Sequence, residues 1–296
     1  MTESPAHLDF GLVQPQLVEL LVATGNWIER SWPGRRPAGA KAHEGTRALL
    51  LSFARLIENS WRSAAYLCAD IPKDPGRRAE YVLSVSPLTR TILEALCTTI
   101  FVFGDLESRV AWFYKSGWRE VREEFLRVKE RYGDDPEWEP YLSAKGSLLD
   151  RTKLQWGVSD EEAADVSLIK RFPLPDRMVS QNGLSHDRRE QIQYFMDWYY
   201  RKMSQDAHLS WPGLARRAAI FLPATEPAER ERIVASARTD ILSTLAAVCL
   251  AFVSEIEVEC RFGMGQKAMY AWTILGDFSP DTKELCDRFY RTQLAG

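Results

Sequence analysis

Apolar residues recur at three- and four-residue steps along most of this chain, the spacing of one face of an α-helix. From about Ala40 to Ala69, Leu49, Phe53, Leu56, Ile57, Trp61, Ala64 and Leu67 keep that rhythm. The segment is bounded by the basic turn Pro33-Gly34-Arg35-Arg36-Pro37 and by Ile71-Pro72-Lys73-Asp74-Pro75-Gly76. An earlier amphipathic segment spans about Leu12 to Trp32. Ser86-Pro87 reads as the opening of a strongly apolar helix, Leu88 to Phe103, because proline suits the first helical position. Gly104-Asp105 stops it, and a charged amphipathic helix follows from about Glu107 to Arg131. Between Trp138 and Asp176 the rhythm weakens and prolines punctuate it, which predicts short helices and loops.

The pattern sharpens after the turn Asn182-Gly183. Ser185 is placed to cap a helix with Asp187 and Glu190 in its first turn, running to about Leu209 and stopped by Pro212-Gly213. A further long helix is predicted from about Ala228 to Cys260; Gly263 and Gly265 break it, and two shorter helices follow. With no repeat and no linker, these elements predict an all-α multi-helix bundle forming a single domain over 1–296. Its core is expected at about 40–131 and 186–262, with peripheral segments at 1–39, 132–185 and 263–296.

Charge narrows the function classes. Thirty-eight Lys and Arg against 41 Asp and Glu leave a net charge of −3, so a broad electrostatic grip on nucleic acid is excluded and any RNA contact must use a local patch. Residues 186–217 offer one, with six basic groups (Arg188, Arg189, Arg201, Lys202, Arg216, Arg217) against four acidic ones. The five cysteines are odd in number and form no CxxC, the usage of reduced thiols in a cytoplasmic protein. The first residues, MTESPAHLDF, show no secretory signal pattern. Ile241 to Ser254 is an uncharged run of fourteen residues. A membrane span needs about 20. A buried core helix is therefore expected, with no membrane partner.

The candidate chemistry lies on the helix after Ser185. At about 100° per residue, Asp197, Arg201, Ser204 and His208 fall within an arc of roughly 60°, flanked by Tyr200 and Trp211. An imidazole in line with a guanidinium suits phosphoryl chemistry, the first moving a proton near neutral pH and the second holding a phosphate. Ser204 is placed to fix the His208 tautomer. A solvated helix face with an Asp197–Arg201 ion pair gives the same pattern. Arg90 and Glu94 add two opposite charges one turn apart in an otherwise uncharged helix. Either they form a buried buttress, or Glu94 meets Arg201 or His208 across the bundle. Gly263-Met-Gly265-Gln-Lys-Ala268 matches a dinucleotide pattern, but no βαβ unit can be built around it, so it reads as a helix break. The four histidines (His7, His43, His186, His208) enter no metal-binding spacing, and neither a metal nor a cofactor is expected.

Arg201-Lys-Met-Ser-Gln-Asp-Ala-His208 resembles the R-x(4–6)-H signature of the HEPN (higher eukaryotes and prokaryotes nucleotide-binding) helical domains. Arg90-x3-Glu94 together with Tyr200-x3-Ser204-x3-His208 is similar to a group of bacterial helical proteins with HEPN-like folds. The resemblance covers two helices, about 86–104 and 186–212, and implies an HEPN-like core with peripheral helical insertions. It also implies a metal-independent endoribonuclease in a toxin or antiphage role. His208 would act as base toward the ribose 2′-OH or acid toward the leaving 5′-oxygen, and Arg201 would stabilise the transition state. Glu94 would complete the catalytic set, with Arg90, Asp197, Tyr200 and Ser204 supporting it. Sites of this kind are completed by two protomers, which implies a homodimer. The rival expectation is a non-enzymatic helical scaffold or small-ligand module, in which the stripe is structural.

Overall fold

A helix that is apolar on every side has to be wrapped by other helices, and the longest one here is. In the computed structural model, which describes residues 10–31, 44–68, 75–201 and 226–295 with positions 203, 215 and 218, twelve α-helices are present and no strand occurs among the described residues. In chain order they are α1 (Phe10–Ser31), α2 (Glu44–Cys68), α3 (Pro75–Phe103), α4 (Leu106–Tyr132), α5 (Glu139–Gln155), α6 (Asp160–Ala164) and α7 (Pro175–Met178). Then come α8 (His186–Tyr194), α9 (Pro227–Cys260), α10 (Gly265–Phe278), α11 (Pro280–Phe289) and α12 (Arg291–Leu294). The all-α multi-helix fold is as the periodicity predicts.

The 34-residue α9 is the axis of the molecule. Residues Leu245 to Val253 along it are 0–1% exposed, and α1, α2, α3, α10, α11 and α12 pack around it. The uncharged run is thus a core helix. By length and composition, Ser84–Phe103 and Pro227–Cys260 would pass for membrane spans, but 72% and 89% of their apolar windows are buried inside the bundle, so internal packing accounts for their character. The same packing holds α3 through Pro87. The helix does not begin there, as the sequence suggests; it runs back to Pro75. An interior proline costs roughly 3 kcal/mol. Val85, Ser86 and Thr89 around it are all 0% exposed, and their burial keeps the backbone helical.

Two helix ends redirect the chain. Gly104 and Asp105 separate α3 from α4, with the Asp105 carboxylate accepting from the Ser108 amide at 3.3 Å. At the end of α9, Arg261 adopts φ 52° and Gly263 φ 91°, and the Glu257 carboxylate accepts from the Gly263 and Met264 amides at 3.2 and 3.1 Å. The GxGxxA match is a helix break, and α10 begins at Gly265.

Segment 106–169 builds a smaller cluster of its own. Trp118 and Phe125 of α4 pack with Leu149, Val158 and Ile169. The 17-residue α5 is longer than the weak periodicity suggests. Only Leu149 on it is buried, so little of its sequence had to follow a helical rhythm.

Candidate functional site

The stripe helix starts as expected. Ser185 caps α8, its hydroxyl accepting from the Arg188 amide at 3.4 Å. The helix then departs from α geometry: Phe195–Tyr200 is a π turn, and the Arg201 amide bonds to the Met196 carbonyl, five residues back. A π turn is wider than an α turn, so each residue advances by less than about 100°, and such turns recur at functional sites. Asp197 and Arg201 still share a face across this turn, while the rest of the predicted arc, Ser204 and His208, lies outside the described residues.

The consequence is a change of partner. Tyr200 faces α3, where its hydroxyl accepts from Arg90 Nη2 at 2.8 Å and donates to Glu94 Oε1 at 3.2 Å. Arg90 Nε closes the set on Glu94 Oε1 at 3.1 Å, and its guanidinium lies 5.1 Å from the Tyr200 ring centre. Arg201 pairs with Asp197 at 3.7 Å, not with Glu94, and its side chain is 73% exposed. The Asp197 carboxylate also accepts from Gln193 at 2.8 Å. Nor is the charged pair on α3 buried as its setting suggests: Arg90 and Glu94 are 28% and 40% exposed, at the edge of the bundle, where solvent reduces the desolvation cost. Ser204 and His208 lie outside the described residues, as do Lys202, Arg216 and Arg217.

The electrostatics fit a latch. Partial burial opposes the Arg90 charge, but Glu94 and Tyr200 outweigh it and hold its pKa above the ordinary guanidinium value. Burial, reinforced by Glu94, raises the Tyr200 pKa, so its hydroxyl keeps the proton it donates. Arg90, Glu94 and Tyr200 thus fix the π turn against α3, while Arg201, one residue on, faces solvent. Among the described residues no group of three or more His, Cys, Asp or Glu could hold a metal ion. All five cysteines are free and buried, and burial raises their thiol pKa values, to about 11 for Cys68 and Cys286.

A second polar cluster has no counterpart among the residues that spacing singles out. Arg188 donates to the Ile100 carbonyl at 2.8 Å and to Glu259, and lies 3.9 Å from Glu255. Gln191 donates to Glu255 and, at 3.0 Å, to the Tyr290 hydroxyl. Arg109, 5% exposed, donates to the Phe101 carbonyl at 2.5 Å. Two arginines from other helices thereby satisfy the C-terminal carbonyls of α3, whose last turn has no basic residue. A signal was present: Glu255, Glu257 and Glu259 crowd the C-terminal end of α9, where the helix dipole disfavours carboxylates, so each required a partner elsewhere.

No protein-family model matches the chain, and no curated protein or solved structure is significantly similar to it. The geometry alone therefore ranks the candidates. The Arg188–Glu255 cluster ties three helix ends together and reads as architectural; the Arg201 side chain faces solvent.

Glu255 sets a pH dependence. Burial raises its pKa, against the pull of Arg188 and Gln191. A carboxyl with a raised folded-state pKa contributes full stability below the ordinary value, about 4.3 for Glu, and loses it as pH climbs through the folded value. Glu255→Gln should therefore gain stability relative to the parent as pH rises from 5 to 8, read by urea unfolding at both pH values. A constant difference would show that Glu255 is ionised throughout.

Proposed function

We propose that this chain is an HEPN-like helical protein acting on RNA or nucleotide phosphates in the cytoplasm, as a homodimer. In this reading Arg201 holds the phosphate, and His208 acts as base toward the ribose 2′-OH or as acid toward the leaving 5′-oxygen. The Arg90–Glu94–Tyr200 latch fixes the π turn that precedes Arg201, and Asp197 and Ser204 are the supporting residues of this reading. The observation supporting it is the exposed Arg201 guanidinium directly after a π turn whose neighbouring side chain is tied to the facing helix. A guanidinium there is free to exchange a long ion pair with Asp197 for a bidentate phosphate contact.

The test is cleavage of a labelled RNA by the full chain in EDTA. The parent should leave 2′,3′-cyclic phosphate ends, His208→Ala should abolish cleavage, and Arg201→Ala should slow it by about 100-fold. Identical behaviour of all three chains would defeat the catalytic reading. The scaffold reading would then stand, and one observation favours it: within the latch, Arg90, Glu94 and Tyr200 satisfy one another, as in a structural buttress. On that reading Arg201→Ala and His208→Ala shift thermal stability alone.

A further inference from the structure

One turn of this chain gathers cations that no carboxylate answers. Residues 180–184 lead from α7 to α8, and basic side chains close on them from three parts of the chain. Lys170 donates to Gln181 Oε1 at 3.2 Å. Arg189 donates to the Gln181 and Leu184 carbonyls at 3.2 and 3.3 Å. Arg109 of α4 reaches the Asn182 carbonyl at 3.5 Å. Each acceptor is neutral, and among the described residues none of these three cations forms an ion pair. Other cations of the region differ, since Lys115 pairs with Glu162, Arg171 with Glu123 and Arg177 with Asp176. A carbonyl oxygen satisfies an N–H without cancelling its charge, so three full positive charges remain around one turn.

The turn is also shaped for close approach. Asn182 and Gly183 are exposed, and Gly183 adopts φ 74°. A Cβ at Gly183 would meet only Arg109 Nη2, 3.7 Å away, so glycine keeps the space beside that guanidinium clear of a side chain. Burial holds the Arg109 pKa below the ordinary guanidinium value against the pull of Asp105, and the like charge of Arg188 adds to the depression. α8 begins directly after the turn, and its positive dipole end strengthens the same field. Asp187 in its first turn opposes that field, but is 97% exposed and faces His186 at 3.7 Å.

The sign of the field selects an anion, and its layout selects an extended one. Lys170 and Arg189 are exposed on an open turn, where a small anion would gain little enclosure. A chain with a charge on every residue can meet such cations in succession. Arg201 follows Arg189 in the run from α8 through the π turn, at most about 18 Å further on at 1.5 Å per residue.

We propose that the 180–184 turn is a second phosphate-binding surface, which carries the backbone of a single-stranded RNA alongside α8 toward Arg201. Lys170 and Arg189 each contact one phosphate, and Arg109 supplies positive field from inside the bundle. The choice of RNA rests on the function proposed above; the charge cluster stands on its own geometry.

The test is a fluorescence-anisotropy titration of the full chain with a labelled 2′-O-methyl single-stranded RNA. That probe has no free 2′-OH to attack the backbone, so binding is read whether or not the chain is a nuclease. Saturable binding is expected, with log affinity falling linearly as log salt rises. Lys170→Gln and Arg189→Gln should each weaken it about 3-fold and lower the salt slope by about 0.7, the value for one phosphate on a single strand. The double variant should lower the slope by about 1.4. Arg189 also braces the turn, so Arg189→Lys, which keeps the charge and gives up the forked carbonyl contacts, should retain the parent slope. Lys267→Gln, a cation on α10 paired with Glu19, should leave affinity and slope unchanged. Three results would each overturn the proposal: no saturable binding, a parent slope in the double variant, or tighter binding of inorganic phosphate or of phosphatidylglycerol vesicles than of the RNA. Slopes that fall as expected, with no cleavage of ordinary RNA, support this surface and defeat the catalytic reading alone. Cleavage of ordinary RNA with a parent slope in the double variant defeats this surface alone.

Discussion

Arg188→Met should lower the unfolding free energy by about 3–5 kcal/mol, because it removes one partner from a buried charge cluster and leaves the others. The Arg188 side chain is 17% exposed, Glu255 5% and Glu259 26%. Its loss deprives Glu255 and Glu259 of their cation and the Ile100 carbonyl of its donor in one step. Methionine fills a similar volume, so the cost falls on electrostatics and hydrogen bonding more than on packing. Glu255 has a partial escape: its pKa is already raised, and protonation removes the uncompensated charge. The loss should therefore be smaller at pH 5 than at pH 8, and Arg188→Met combined with Glu255→Gln should recover part of it. Urea unfolding of the two single variants and the double variant supplies the cycle. A loss under about 1 kcal/mol at both pH values would show that the cluster is not held by Arg188.

Trp272→Ala should cost a similar amount, about 3–5 kcal/mol, for a different reason. Trp272 is 1% exposed, stacks on Tyr290 with ring centres 5.5 Å apart and planes at 17°, and donates its indole N–H to Ser254 at 2.9 Å. Alanine leaves a cavity beside α9 and frees Tyr290 from the face that holds it near Gln191 and Glu255. Trp272→Phe keeps an aromatic face and loses the hydrogen bond, and Ser254 still donates to the Leu250 carbonyl at 2.8 Å, so roughly 1–2 kcal/mol is expected. Tyr270→Ala, on the same helix but 60% exposed, should change stability by no more than about 0.5 kcal/mol. Thermal and urea unfolding of the three variants should follow that order.

Much of the architecture was legible in residue spacing. The uncharged run Ile241–Ser254 announced a helix buried on all sides, and Ser185 and Gly104-Asp105 marked helix boundaries through side chains that act within one turn. Local signals of this kind carry over because a cap or a periodic stripe depends on neighbours three or four residues away. Pro87 misled for the complementary reason: its local preference is real, but the burial of Val85, Ser86 and Thr89 outweighs it, and only the packing of α3 reveals that.

The candidate site was legible in part. The charges on the two helices were visible as types and spacings, and Arg90, Glu94 and Tyr200 do come together across 110 residues of sequence. Which residue of the second helix meets Glu94 was not visible, because a single widened turn moves the contact from Arg201 to Tyr200 and nothing in the local sequence specifies an i−5 hydrogen bond. The Arg188–Gln191–Glu255–Tyr290 cluster needs α8, α9 and the chain from α11 to α12 at once, so only tertiary structure could assemble it. The sequence by itself therefore determined the all-helical class, the Ser185 cap and the burial of the uncharged run in α9, all properties of short-range chemistry. The tertiary structure decided the partners of the charges, because a carboxylate or guanidinium reaches across whichever helices packing has placed beside it, at distances no spacing along the chain encodes.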